Sequence, residues 1–290
     1  MCSDFASKKH HGTIPPQLFK FIDRNNMAAV TREFIDFMNG ISMEFNRQIR
    51  DEYGAERPLY EIQDIKLSVP KLFGHDVSLE YVASGSVGSV YKMQIGDVTL
   101  ALKINRYPQQ HEDIKSMDMH RYARTLIRRP YIGGTDAGGY SWVLSDYIDG
   151  DDDGWVRAKE KLFNAAMTKG LRYSDLHPNN IRDGRIIDLP GLSRKKISLH
   201  PSELELVKKL MNFVRMQDTA GFEDMAARVA REHPDVMRYM YLTATMHNME
   251  MPMHYQPFYK LMRKYNDVAK AASQTPSATH VMMNKNQRDG

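Results

Sequence analysis

Four short stretches of this chain carry residue types suited to phosphate and metal chemistry, and they follow one another in a fixed order. The first is Ala83-Ser84-Gly85-Ser86-Val87-Gly88-Ser89-Val90. Around Gly85, Ser86 and Gly88 little side-chain bulk keeps backbone amides from approaching phosphate oxygens. Val90 offers an apolar side chain that can pack over an adenine ring. The second is Ala101-Leu102-Lys103-Ile104, a lysine inside an apolar run. A buried ammonium needs anionic partners, and a phosphate plus a carboxylate from the next helix would supply them. Glu112 is the only glutamate on that helix, and Asp118 is a second candidate with a shorter reach. The third is Tyr173-Ser174-Asp175-Leu176-His177-Pro178-Asn179-Asn180. Asp175 supplies a base there, and Asn180 a metal-ligating oxygen. The fourth is Asp188-Leu189-Pro190-Gly191, whose carboxylate suits Mg²⁺, a hard cation that prefers oxygen. Each stretch also has a plainer reading, as a Gly/Ser turn, a lysine on a solvated strand face, charge at a helix start, or an Asx turn.

The elements that must position these residues can be read from periodicity. Val30, Phe34, Phe37, Ile41, Phe45 and Ile49 form one apolar stripe of a long helix. Residues 54–77 are irregular, with Pro58 and Pro70 as breakers. Residues 77–83, 90–95 and 99–104 are predicted strands, and residues 110–126 a helix. Residues 131–139 and 140–148 read as a strand pair, and 155–169 as a helix with Asp151–Asp153 at its N-terminal dipole. Residues 181–187 read as a hairpin turning on Asp183-Gly184. Beyond Pro201 the pattern is helical over about 201–217, 221–232, 235–249 and 256–272, with Ser202 as the first cap. The layout is an α+β plan.

Taken together, the four stretches resemble the protein-kinase-like superfamily, from about Tyr81 to Gly191. The first is similar to G-x-G-x-x-G-x-V with Ala83 at the first glycine. Ala101-Leu102-Lys103 looks like the A-x-K of the third strand, which implies that Lys103 binds the α- and β-phosphates. Ser145-Asp146-Tyr147-Ile148-Asp149-Gly150 resembles the hinge, with Asp146 and Ile148 holding adenine through their backbones. Residues 173–180 align on H-R-D-x-x-x-x-N, making Asp175 the base and Asn180 a Mg²⁺ ligand, and residues 188–191 align on D-F-G. The departures are Tyr173 for the usual His, Leu189-Pro190 for the usual Phe, and His177 where many protein kinases keep a Lys. D-L-H-P-x-N is a form seen in aminoglycoside- and choline-type phosphotransferases. No A-P-E motif or long activation segment follows Gly191, a compression similar to minimal kinases of bacterial effectors and bacteriophages.

The resemblance implies a bilobal fold with a small antiparallel N-lobe (77–148) and a reduced helical C-lobe (149–272); periodicity adds an N-terminal helical extension (16–76), and the polar ends read as a flexible leader (1–15) and a flexible tail (273–290). It implies ATP and Mg²⁺ as cofactors and transfer of the γ-phosphoryl group to a Ser/Thr hydroxyl of a protein substrate. The alternatives are a small-molecule phosphotransferase, a nucleotidyl transferase, or a non-catalytic, kinase-shaped binding module.

Composition narrows the field. With 42% apolar and 26% charged residues the chain is not of disordered type. Cys2 is the only cysteine, which excludes an intramolecular disulfide and a Cys-based metal centre. No apolar run nears the roughly 20 residues of a membrane helix, and the first residues lack a secretory h-region. A cytoplasmic protein without a membrane partner, possible in a host cell for an effector, is the expectation. A net charge of +4 does not argue for nucleic acid. Three competing signals remain. Asp149–Glu160 satisfies the EF-hand spacing, although a strand rather than a helix enters it. Met246–His254 has sulfur and imidazole ligands suited to Cu(I), against a plainer role as adaptable packing. Arg194-Lys195-Lys196 reads as a solvated cluster or as a contact for an acidic or phosphorylated partner.

Overall fold

A computed structural model describes residues 10–54, 59–61, 65–108, 111–150, 154–247 and 251–274. It is a mixed α and β structure with a six-stranded antiparallel sheet and, among the described residues, seven α-helices. Contacts divide the chain into two compact units, Met1–Gly154 with His177–Leu192, and Trp155–Leu176 with Ser193–Gly290.

In the first unit, the strands are β1 (His10–Gly12), β2 (Val77–Ser84), β3 (Gly88–Ile95), β4 (Val98–Pro108), β5 (Pro130–Thr135) and β6 (Tyr140–Asp146). Their order is β1-β5-β6-β4-β3-β2. The edge strand β1 lies within the stretch expected to be a flexible leader, where His10, His11 and Gly12 pair with Gly134, Gly133 and Ile132. Gly12 has φ 102°, and a Cβ there would lie 2.0 Å from the Tyr131 carbonyl oxygen, so the close pairing demands glycine.

β4 is buried on both faces, and its alternation decides what each face does. Leu100, Leu102 and Ile104 face one core, which they share with Tyr91, Met93, Trp142 and Leu144. Helix α1 (Met27–Gln48) covers that face with the stripe Phe34, Phe37, Ile41 and Phe45. The Trp142 indole donates to Asn39 Oδ1 of this helix at 2.8 Å, which satisfies the one polar atom of that ring. The N-terminal helix and the sheet therefore share one core. Ala101, Lys103 and Asn105 face the other way.

Across that second face lies α2 (Glu112–Met117), followed by a 3-10 stretch at Asp118–Tyr122. The helix expected over 110–126 is thus cut short, with residues 109–110 outside the described set. The reason is tertiary pairing. Ile186 N–H donates to Leu126 O at 2.7 Å and Arg128 N–H to Ile186 O at 2.9 Å, so Ile127 forms a parallel bridge with Ile186 directly after a turn. Their partner is the expected hairpin, β8 (Ile181–Arg182) and β9 (Arg185–Ile186). Its turn residues Asp183 and Gly184 both have positive φ, 46° and 63°, the backbone of a tight two-residue connection.

The second unit opens with α3 (Trp155–Lys169) and β7 (Leu171–Tyr173). β10 (Leu192–Arg194) pairs with β7, and four helices follow: α4 (Pro201–Met216), α5 (Thr219–Glu232), α6 (Pro234–Met246) and α7 (Gln256–Gln274). Their apolar faces enclose Phe163, Leu210, Phe222, Met240 and Phe258. The cap of α4 is His200, not Ser202. Its ring nitrogen accepts from Ser202 N–H while Glu203 accepts from His200 N–H, a reciprocal box shifted two residues upstream.

Candidate active site

Lys103 is 5% exposed, so its ammonium must be paired or neutral. It is paired twice. Nζ lies 3.1 Å from Asp113 Oδ2 and 2.7 Å from Asp188 Oδ1. Burial pulls the Lys103 pKa down and is the largest single influence on it. The charges of Asp113 and Asp188, with their hydrogen bonds, outweigh it, and the net direction is up. Lys103 is a cation here.

The carboxylate from α2 is Asp113, which corrects the expectation of Glu112. Asp113 is 2% exposed, whereas Glu112 and Asp118 face solvent. Neighbouring helical residues point about 100° apart, and the face of α2 turned to the sheet carries Asp113 and Ser116. Asp113 also accepts from Asn105 Nδ2 at 3.2 Å, and that amide donates to Ser141 Oγ at 2.7 Å. Asn105, two residues beyond Lys103 on the same strand face, is a member of the site that sequence reasoning missed. A polar residue at i+2 of a buried strand lysine was the available signal.

Asp188 is brought in by the hairpin. Ile187 N–H donates to Asn180 O at 2.9 Å, so Asp188 follows directly on the partner of Asn180. The two oxygen-bearing side chains expected to hold a metal therefore sit on adjacent rungs. Gly154 backs the hairpin turn, where a Cβ would meet Gly184 N at 1.8 Å, so no other residue fits. Leu189, fully buried, anchors the turn after Asp188. Among the described residues no group of three or more His, Cys, Asp or Glu could hold a metal ion.

The Gly-rich connection is closed by Gly85 N–H donating to Gly88 O at 2.9 Å, and Arg106 N–H donates to Val87 O at 2.8 Å. Its two glycines differ. A Cβ on Gly88 would lie 2.3 Å from Ile104 O, so packing against β4 requires glycine there. A Cβ on Gly85 would meet nothing, so that position and exposed Ser86 leave open space above the turn. Val90 stands directly opposite Lys103 and shares its face.

Asp146 and Ile148 lie at and beyond the end of β6. The Asp146 N–H donates to Arg129 O, and its carboxylate accepts from the Tyr131 hydroxyl. Asp175 lies in the turn after β7, exposed, and belongs to the second unit. Tyr173 is buried. His177 caps the short 3-10 turn Pro178–Asn180, its Nδ1 accepting from Asn179 N–H at 3.2 Å. In the EF-hand-like run, Asp151–Asp153 lie outside the described residues and the entering element is the strand β6. In the Met-rich run, residues 248–250 lie outside them too.

No protein-family model matches the chain, and no curated protein matches it. No helix among the described residues is long and apolar enough to cross a membrane.

Proposed function

We propose that this chain is an ATP- and Mg²⁺-dependent phosphotransferase, foremost a compact Ser/Thr protein kinase on a bilobal kinase-like fold. The reading rests on the Lys103 ammonium held between Asp113 and Asp188, with Asn180 one rung away on the same hairpin. Burying an ion triad does little for net stability, since well-packed apolar residues of similar volume serve as well or better. Its presence on a sheet face where Asn105 and Ser141 are buried and hydrogen-bonded to each other, rather than in an apolar core, favours a functional use.

The donor set fits the cofactors. The carboxylate of Asp188 and the amide oxygen of Asn180 are hard oxygen ligands for Mg²⁺, a cation that keeps several waters and takes few protein ligands. When bound, the metal supplies charge neutralisation at the phosphates. Val90 and Ala101 give an apolar floor for adenine on the Lys103 face. Lys103, kept in register by Asp113, binds phosphate oxygens. Asp175, exposed at the end of β7, orients the acceptor hydroxyl and takes its proton.

One observation favours a second acceptor class. Only residues 192–200 separate Gly191 from α4, and they are used up by β10 and the strap behind it. That leaves no long segment for docking a peptide, as a small-molecule phosphotransferase would also have it. A transfer assay with γ-labelled ATP separates the readings. Label on Ser/Thr of lysate proteins, lost in Asp175→Ala and Asp188→Ala, supports the protein kinase. Label only on an aminoglycoside or choline panel supports the second reading. Equal labelling in all three proteins overturns both, and transfer of α-label instead indicates a nucleotidyl transferase.

A further inference from the structure

The second unit contains a cavity of about 530 Å³ that the phosphotransferase reading does not use. Its walls come from the end of α3 with β7, the strap Lys195–Leu199, and α6. Local chemistry builds it. α3 ends at Gly170, with φ 69°, and Lys195 N–H donates to Gly170 O at 2.9 Å. A Cβ on Gly170 would lie 2.1 Å from Lys195 O, so glycine is what lets the strap close onto the helix end. On the opposite wall the Tyr239 hydroxyl donates to Met167 O at 2.9 Å, tying α6 to the last turn of α3. The cavity is framed by hydrogen bonds to backbone carbonyls at the end of α3.

Its lining has two characters. Leu171, Ile197, Leu199 and Leu242 are apolar, and Arg172, Lys195, Lys196 and Arg238 are cationic. Among the described residues none of these four cations is ion-paired. Among the described residues Asp235 is the only carboxylate in the lining, so its lysines and arginines outnumber carboxylates by three. Four cations gathered round a concave apolar surface with a single carboxylate among them are held at a cost in mutual repulsion. The volume lies in the range of small-molecule sites, roughly 300–1,000 Å³.

We infer that this cavity is a second ligand site, which takes a phosphate monoester carrying an apolar body. A dianion answers the charge excess better than a monocarboxylate does, and the leucine and isoleucine walls call for an aromatic or aliphatic group behind it. The Arg194–Lys196 cluster, legible in the sequence as a contact for a phosphorylated partner, thereby lends two of its cations to a small-molecule pocket. The site is independent of Lys103 and stands whether or not the chain transfers phosphate.

The test is isothermal titration of the full chain with phenyl phosphate, inorganic phosphate and benzoate, with excess Mg²⁺–ADP present throughout to occupy any nucleotide site. One-to-one binding of phenyl phosphate is expected, with inorganic phosphate about tenfold weaker for want of the apolar body. Benzoate, with a single charge, is expected to be weaker as well. Arg238→Ala and the double variant Lys195→Ala/Lys196→Ala each lower the affinity about tenfold or more. Asp235→Asn raises it roughly twofold or more by removing the like charge, a gain that damage to the fold does not produce. No one-to-one binding by wild type overturns the inference. So does binding indifferent to all three basic-to-alanine and acid-to-amide changes, or benzoate matching phenyl phosphate.

Discussion

Replacing Lys103 by methionine removes the ammonium at nearly constant volume and leaves Asp113 buried without its cation. Asp113 is 2% exposed, so water does not replace the lost partner. Breaking a buried pair from one side costs about 3–5 kcal/mol. Asn105 Nδ2 still donates to Asp113 at 3.2 Å, which places the expected cost near the lower end, about 3 kcal/mol at pH 8. Asp188 is 32% exposed and adds little, because solvent screens it. The pH dependence carries the sharper information. Without its cation, Asp113 in the folded variant binds a proton more tightly than in the unfolded chain, where its pKa is about 3.9. A folded pKa raised above the unfolded value means stability present at low pH and lost as pH rises. The deficit against wild type should therefore shrink to about 1 kcal/mol near pH 4.5 and be full by pH 8. In the wild type the Lys103 pKa is shifted up from its ordinary 10.5, so its own contribution is intact below about 10.5 and vanishes only above it. Urea denaturation followed by tryptophan fluorescence measures this, with Trp142 on the neighbouring strand as the local reporter. The double variant Lys103→Met/Asp113→Leu should recover most of the loss. A deficit under about 1 kcal/mol at pH 8, or one identical at both pH values, would refute a charged Lys103–Asp113 pair in the interior.

The two loop glycines should separate. Gly88→Ala is expected to destabilise the protein by about 1–3 kcal/mol in denaturant melts, because its Cβ would sit 2.3 Å from Ile104 O. Gly85→Ala should stay within about 0.5 kcal/mol of wild type yet weaken Mg²⁺–ADP in a binding titration, since its surroundings are open. In the second unit, burial raises the Tyr255 pKa to about 12, with the Glu160 charge adding to it. The neutral phenol is thus favoured in the folded state, and stability should fall by roughly 2–3 kcal/mol between pH 10 and 12. Tyr255→Phe should flatten that part of the pH–stability curve. Gly170→Ala should lower the melting temperature and abolish phenyl phosphate binding, because both its φ of 69° and the 2.1 Å approach to Lys195 O exclude a Cβ.

Much of the fold is legible in the chain because its signals are local. The Asp183-Gly184 turn, the stripe from Phe34 to Phe45 and the boundaries at Pro201 and Pro234 each follow from a few neighbouring residues. What escapes is set by distant partners. Glu112 and Asp113 differ by one position, and only the docking of a six-residue helix against β4 decides which meets Lys103. Such a helix is too short to display a periodicity that would reveal its buried face. His10–Gly12 becomes a strand because β5 offers an edge, not because three residues specify one. The break in the helix expected over 110–126 has the same origin, since residues 126–128 are claimed by the hairpin at Ile186. The sequence pattern predicts a phosphate-binding use for Gly88, whereas what the structure shows is a packing reason for the glycine.

The most direct test is mass spectrometry of a lysate treated with ATP, Mg²⁺ and the purified chain, against the same treatment with Asp175→Ala. Exposed Asp175 can be replaced with little cost to the fold, which the two proteins' melting curves will verify. The expected result is a set of Ser or Thr sites phosphorylated by wild type and reduced about a hundredfold or more by the variant. An identical set of phosphosites at equal occupancy in both samples would contradict the assignment of phosphoryl transfer to this site.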